Sequence, residues 1–137
     1  MVTLVNATVT PTAGGESIFG REGFSQLIRT KALDIIMPDA KHCGGLLELK
    51  YIAALAEPEG IVVAPHNPSG PIATAASIQT VATISNFAIL ELAHGEVPWR
   101  SDLVTPPEQF EDGHVTVADQ PGLGYDLNRE MLSKHSL

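Results

Sequence analysis

Short apolar runs alternate with longer stretches of helical period through the first ninety residues. Val9 to Ala13 reads as a short strand, weakened by Pro11, that runs into the stretch AGGES. Phe24 to Thr30 places Phe24, Leu27 and Ile28 on one helical face. LDIIMPD, Leu33 to Asp39, is an apolar strand closed by Pro38. Gly45 to Glu57 is a clearer helix, in which Leu46, Leu47, Leu49, Ile52, Ala53 and Leu55 line a broad apolar face that Pro58 ends. Ile61 to Ala64 is a wholly apolar strand, Ile72 to Thr83 an Ala-rich helix, and Phe87 to Leu90 a fourth strand ending at Glu91. The order is β-α-β-α-β-α-β. Continuous rather than alternating apolar strands belong to a parallel sheet covered by helices on both faces. The expected fold is therefore α/β, with four parallel strands and intervening helices over residues 1–92. Residues 93–137 carry Pro98, Pro106, Pro107 and Pro121, a short strand at His114 to Val117 and little helical signal before about Asn128. They read as an irregular wrapping tail of the same domain.

Composition narrows the class. A chain of 137 residues with 44% hydrophobic content suits one globular domain with its own core. A net charge of −8, with eight Lys and Arg scattered along the chain, argues against a nucleic-acid partner. No apolar run reaches the ~18 residues that span a bilayer. The start, MVTLVNATVTP, lacks the basic flank and apolar core of a secretory signal, so the expected location is the cytoplasm, away from membranes. Cys43 is the single cysteine, which excludes an intrachain disulfide and a multi-cysteine zinc site. Followed by Gly44 and Gly45, it reads as a small buried filler rather than a nucleophile.

Four polar side chains stand at equivalent places, just past the four strands: Glu16, Asp39, His66 and Glu91. In parallel α/β folds the carboxyl ends of the strands share one rim, where sites are built. Each residue alone has a plain structural reading. Asp39 after Pro38 is also a turn residue or helix cap, Glu16 an exposed loop charge, Glu91 an ion-pair partner, and His66 a satisfied loop histidine. Their joint placement favours function. His66 lies in VVAPHNPSGP, where Pro65, Pro68 and Pro71 limit the backbone and make a stiff mount for one ring.

The stretches AGGES at 13–17, MPDAKHCGGLLE at 37–48, APHNPSGPIATAAS at 64–77 and ILE at 89–91 resemble the enolase superfamily. Within it they are similar to the mandelate racemase and muconate lactonizing enzyme group, and there to galactonate dehydratase-like sugar-acid dehydratases. The intervals of 23, 27 and 25 residues between Glu16, Asp39, His66 and Glu91 agree with that family, as does QPGLGYDL at 120–127. The likeness implies the C-terminal half of a TIM-type (β/α)7β barrel, strands five to eight. It implies that Glu16 is a carboxylate ligand to Mg²⁺, His66 the acid/base, Asp39 its partner, and Glu91 a group that stabilises the intermediate. The implied reaction removes the proton α to a carboxylate of a small sugar acid and eliminates water. His42, Asn67 and Lys41 are substrate-contact candidates beside the rim, although Asn67 and Ser69 also suit loop and helix capping. Trp99 and Arg100 read as residues that pack the tail, His94 as a neighbour of the fourth strand, and His114 and His135 carry no signal. GLG at 122–124 follows no strand-to-helix unit and is not a dinucleotide fingerprint.

The family's other two metal ligands, its second acid/base and its capping domain fall on units outside these motifs, and a full barrel takes about 250 residues. Two functional expectations follow. One is a truncated member related to Mg²⁺-dependent acid-sugar dehydratases; the other is a catalytically inactive stand-alone half barrel, an assembly module or remnant. A half barrel leaves two open sheet edges, so a homo-oligomer is expected in either case.

Overall fold

A computed structural model describes residue 5 and residues 7–136. Three two-residue strands, Ala13–Gly14 (β1), Ile35–Ile36 (β2) and Val62–Val63 (β3), pair in parallel in the order β1-β2-β3. Ala13 lies opposite Ile35, and Ile35 opposite Val62. Helices Gly20–Arg29 (α1) and Leu46–Ala56 (α2) are the crossovers, and Pro71–Val81 (α3) follows β3. Pro71 opens α3 at the position where its missing N–H costs nothing and its fixed φ suits a helix. The α1 N-terminus receives a cap from another element: Glu48 of α2 accepts the Arg21 N–H at 2.7 Å and the Arg21 Nε–H at 3.0 Å. A carboxylate there satisfies an orphan donor and the positive end of the helix dipole.

Phe24 and Ile28 of α1, Leu49, Ile52, Ala53 and Ala56 of α2, Ile36 of β2 and Val63 of β3 form one buried cluster with Cys43 and Ile61. Burial of each large apolar side chain contributes about 1.5–3 kcal/mol. This cluster fixes the sheet against α1 and α2, and so fixes the ends of the strands that carry the site.

The structure corrects the expected fourth strand. Phe87 makes only an isolated parallel bridge to Val63. The segment follows β3 through single bonds, from Val63 N to Asn86 O at 2.8 Å, Ala88 N to Val63 O at 2.9 Å and Glu91 N to Pro65 O at 3.3 Å. These bonds are spread from Asn86 to Glu91 and do not repeat as the paired pattern of a ladder across Phe87 to Leu90. The first strand is also shorter than expected: Val9 is fully exposed, and pairing is confined to Ala13 and Gly14.

The tail is less irregular than its prolines suggest. Val104–Thr105 (β4) pairs antiparallel with Asp126–Leu127 (β7), and Phe110–Glu111 (β5) pairs with His114–Val115 (β6). A 3₁₀ turn spans Arg100–Leu103, and Arg129–His135 (α4) closes the chain, its first turn capped by the Asn128 side chain. Trp99 stacks on His135 with ring centroids 4.0 Å apart, which gives His135 a packing role the sequence did not announce. Among the described residues no helix is long and apolar enough to cross a membrane.

Candidate active site

Parallel pairing puts the carboxyl ends of β1, β2 and β3 on one side of the sheet, and Glu16, Asp39 and His66 follow those ends by two or three residues. Pro38 and Pro65 precede Asp39 and His66 and are themselves buried, so both side chains leave a fixed backbone. Asp39 Oδ2 lies 3.0 Å from His66 Nδ1. Asp39 Oδ1 accepts the Lys41 backbone N–H at 2.7 Å. The Asp39 carbonyl accepts from the N–H groups of His42 and Cys43, so the turn 39–43 folds back onto its first residue.

Asp39 has 2% of its side chain exposed and His66 25%. Burial pushes the Asp39 carboxyl up. The bonds from His66 and the Lys41 backbone, with the positive charges of Lys41 and His42, outweigh it and hold the group below its ordinary value. Asp39 is therefore an anion facing Nδ1. An anion there takes a hydrogen bond from Nδ1–H, which leaves the lone pair of the neutral ring on Nε2. Nε2 stands 3.9 Å from Glu91 Oε2, beyond hydrogen-bond reach.

The four rim residues thus fare differently. Asp39, His66 and Glu91 come together. Glu16 is exposed at the end of the neighbouring strand, and no hydrogen bond or ion pair joins it to the other three among the described residues. Lys41 is exposed, with Nζ 3.7 Å from Asp39 Oδ2, and His42 is exposed beside it. Asn67 is buried and its amide is spent internally: Nδ2 donates to Thr74 Oγ1 at 2.9 Å and to the Glu91 carbonyl at 3.1 Å. Its backbone N–H donates to Glu91 Oε2 at 3.2 Å. That geometry gives Asn67 a place in the scaffold of the loop rather than at its surface. Cys43 is fully buried and its thiol is pushed up to about 11 by that burial, in keeping with a filler.

Sequence reasoning passed over Thr74 and Glu108, and gave Arg100 only a packing role. Arg100 is 9% exposed and donates from Nη1 to the Ser69 carbonyl at 2.6 Å and from Nη2 to Thr74 Oγ1 at 2.9 Å. Glu108 grips it bidentately at 2.8 and 3.1 Å. One signal was present. Arg100 is the only Lys or Arg between Lys50 and Arg129, a solitary cation in an acidic stretch.

Among the described residues two cavities, of about 750 and 660 Å³, are formed without His66 in their lining; the smaller is bordered by Lys41 and by Pro68, Ser69 and Gly70 of the loop that follows His66. The larger runs along the open edge between Phe87, Ile89, His94, Phe110 and Val115, and is mainly apolar. The rim chemistry and the hydrogen-bond geometry, rather than cavity size, mark the candidate site.

Residues 1–131 match the family model described as "Enolase C-terminal domain-like". The chain is 38% identical over 132 residues to a D-xylonate dehydratase of Haloferax volcanii, covering 96% of this chain and 32% of that protein. It is 35% identical over 138 residues to a D-galactonate dehydratase of Xanthomonas campestris pv. campestris, covering 96% and 36%. The solved structure of a mandelate racemase/muconate lactonizing enzyme-like protein from Rubrobacter xylanophilus superposes with a TM-score of 0.93 at 39% identity, covering 98% of this chain and 34% of that one. The chain spans about a third of the length of these relatives. The match of residues 1–131 to the family model, with a fold that superposes over 98% of this chain on one of these structures, makes this chain a member of the enolase C-terminal domain-like family.

Proposed function

We propose that this chain carries the proton-transferring part of a sugar-acid dehydratase site. His66 is the acid/base, Asp39 orients it and Glu91 stands by the charge that develops. The observation that carries this reading is the 3.0 Å contact of His66 Nδ1 with an anionic Asp39, which leaves Nε2 without a hydrogen-bond partner among the described residues. Nε2 takes the proton from the carbon α to the substrate carboxylate, and the C–H electron pair delocalises into that carboxylate. The resulting imidazolium lies between Asp39 at 3.0 Å and Glu91 at 3.9 Å, so two carboxylates offset its charge. Expulsion of the β-hydroxyl with a returned proton releases water, and the enol left behind becomes a 2-keto acid. The names of the relatives, dehydratases of xylonate and galactonate, support a small sugar acid as the substrate.

Mg²⁺, implied by the family likeness, does not fit the described residues by themselves. Glu16 is a single exposed carboxylate, and among the described residues no three His, Cys, Asp or Glu side chains converge on a metal position. Oxygen ligands for such a cation are normally gathered several at a time. The proton transfer above is accordingly assigned to His66, Asp39 and Glu91 alone.

The test is exchange of the α-hydrogen of galactonate, xylonate and gluconate in D2O, with and without Mg²⁺, followed by NMR, with 2-keto product measured in parallel. Exchange should occur with the native chain and fall by about 10²-fold or more in His66→Asn. Exchange that persists in His66→Asn overturns the assignment. A second reading, the inactive half barrel serving as an assembly module, draws support from the solitary Glu16 and the exposed edge residue Ile89, 67% accessible. Absence of exchange, together with no calorimetric Mg²⁺ binding near millimolar, favours that reading.

A further inference from the structure

The rim loop and the tail meet in a single buried network that no part of the proton chemistry accounts for. Its centre is Arg100, in the 3₁₀ turn that follows Pro98, the tail's first proline. Four of its guanidinium contacts are fixed: two to the carboxylate of Glu108, one to the Ser69 carbonyl and one to Thr74 Oγ1. Both partners are deeply buried, with 11% of the Arg100 side chain and 4% of the Glu108 side chain exposed. Thr74 Oγ1 is saturated, because it also accepts from Asn67 Nδ2 at 2.9 Å and donates to the Gly70 carbonyl at 3.2 Å. Asn67 in turn holds Glu91 at both its carbonyl and its carboxylate. The chain of contacts runs Glu108, Arg100, Thr74, Asn67, Glu91, and Asn67 is the residue next to His66.

We propose that Arg100 is a positioning residue for the active rim: its planar fork, held by Glu108, locks the loop 66–71 and so sets where His66 and Glu91 stand. Two features separate this from simple packing of the tail. The contacts go to the backbone of the loop itself and to the hydroxyl that Asn67 needs, not to apolar surface. And a lysine cannot replace the fork, because one ammonium cannot face Glu108, the Ser69 carbonyl and Thr74 Oγ1 in the same plane. The inference rests on the proposed role of His66, but it is read without turnover.

The experiment uses the full chain, with Arg100→Met and Glu108→Met combined so that neither charge is left buried alone. Amide hydrogen exchange and ¹⁵N spectra of the His66 ring are recorded beside the native chain. The expected result is at least about tenfold faster exchange at the Asn67 amide and loss of a single His66 tautomer, while Leu49 and Ile52 amides in the core stay unchanged. Arg100→Lys should give the same local signature. Unchanged Asn67 exchange and an unchanged His66 ring overturn the proposal, and so does a uniform acceleration that includes Leu49 and Ile52. Should the double variant fail to fold, Arg100→Lys decides by the same two readouts, since it keeps a cation beside Glu108 and deletes the planar fork. A native His66 that carries its proton on Nε2 would count against the catalytic reading and leave the Asn67 readout of Arg100 intact.

Discussion

Asp39 concentrates the local energetics of the rim. It is buried, negative and bonded on both oxygens, to the Lys41 backbone and to His66. Its folded-state value lies below the ordinary aspartate value of 3.8, so the native chain binds fewer protons there than the unfolded chain. Its contribution is therefore complete above that value and is lost as pH falls through it towards the folded one. Asp39→Asn should cost about 1–3 kcal/mol at neutral pH. The gap between native and variant, followed by urea unfolding from pH 6 to pH 2.5, should stay level above about pH 5 and shrink below it. A gap that widened with acid would contradict the sign. The convergence of Asp39, His66 and Glu91 was legible in the sequence because each lies a few residues past an apolar run, and parallel strands leave such positions no choice of side. The Arg100 network was not legible. Its residues lie on the loop before α3, on the first turn of α3 and in the tail, and only packing brings Glu108 and Thr74 to one guanidinium.

At the scale of elements, the three central helices were readable from apolar period, and the starts of α2 and α3 to within a residue, whereas the start of α1 was not. Helix α1 begins at Gly20, four residues before its first buried side chain, Phe24, because Glu48 from α2 caps it at a distance no local pattern encodes. The fourth strand failed for a related reason: its apolar residues were plain, but continuous pairing with β3 is set by packing, and only Phe87 bridges it. Gly15 shows how tightly β1 and α1 are joined. Its φ of +110° lies where other residues are strained, and a Cβ placed there would meet the Phe24 ring at 3.0 Å. Gly15→Ala should destabilise the chain by about 1–3 kcal/mol through backbone strain and crowding together. Thermal unfolding would register it, and a variant as stable as the native chain would show that the turn relaxes freely.

At the scale of the molecule, the described residues include exposed apolar side chains grouped on a helix and on a sheet edge. Leu47, Tyr51 and Leu55 form a stripe along α2, 62%, 42% and 44% exposed, and Phe87 and Ile89 lie on the open edge of the sheet. Scattered apolar residues are ordinary on proteins, but a sheet edge that also carries unpaired backbone groups invites a second chain. Self-association through that edge is the expected behaviour at micromolar concentration. Ile89→Lys should weaken it about tenfold or more, read by sedimentation velocity across a dilution series. A native chain that sediments as a monomer throughout would refute the expectation. Cys43 adds a practical corollary. A lone thiol with no accessible surface, protonated up to a pH of about 11, is invisible to alkylating reagents while the core stays shut. Timed exposure to iodoacetamide would thus count how often this protein breathes open, with no added probe and a single modified atom to weigh.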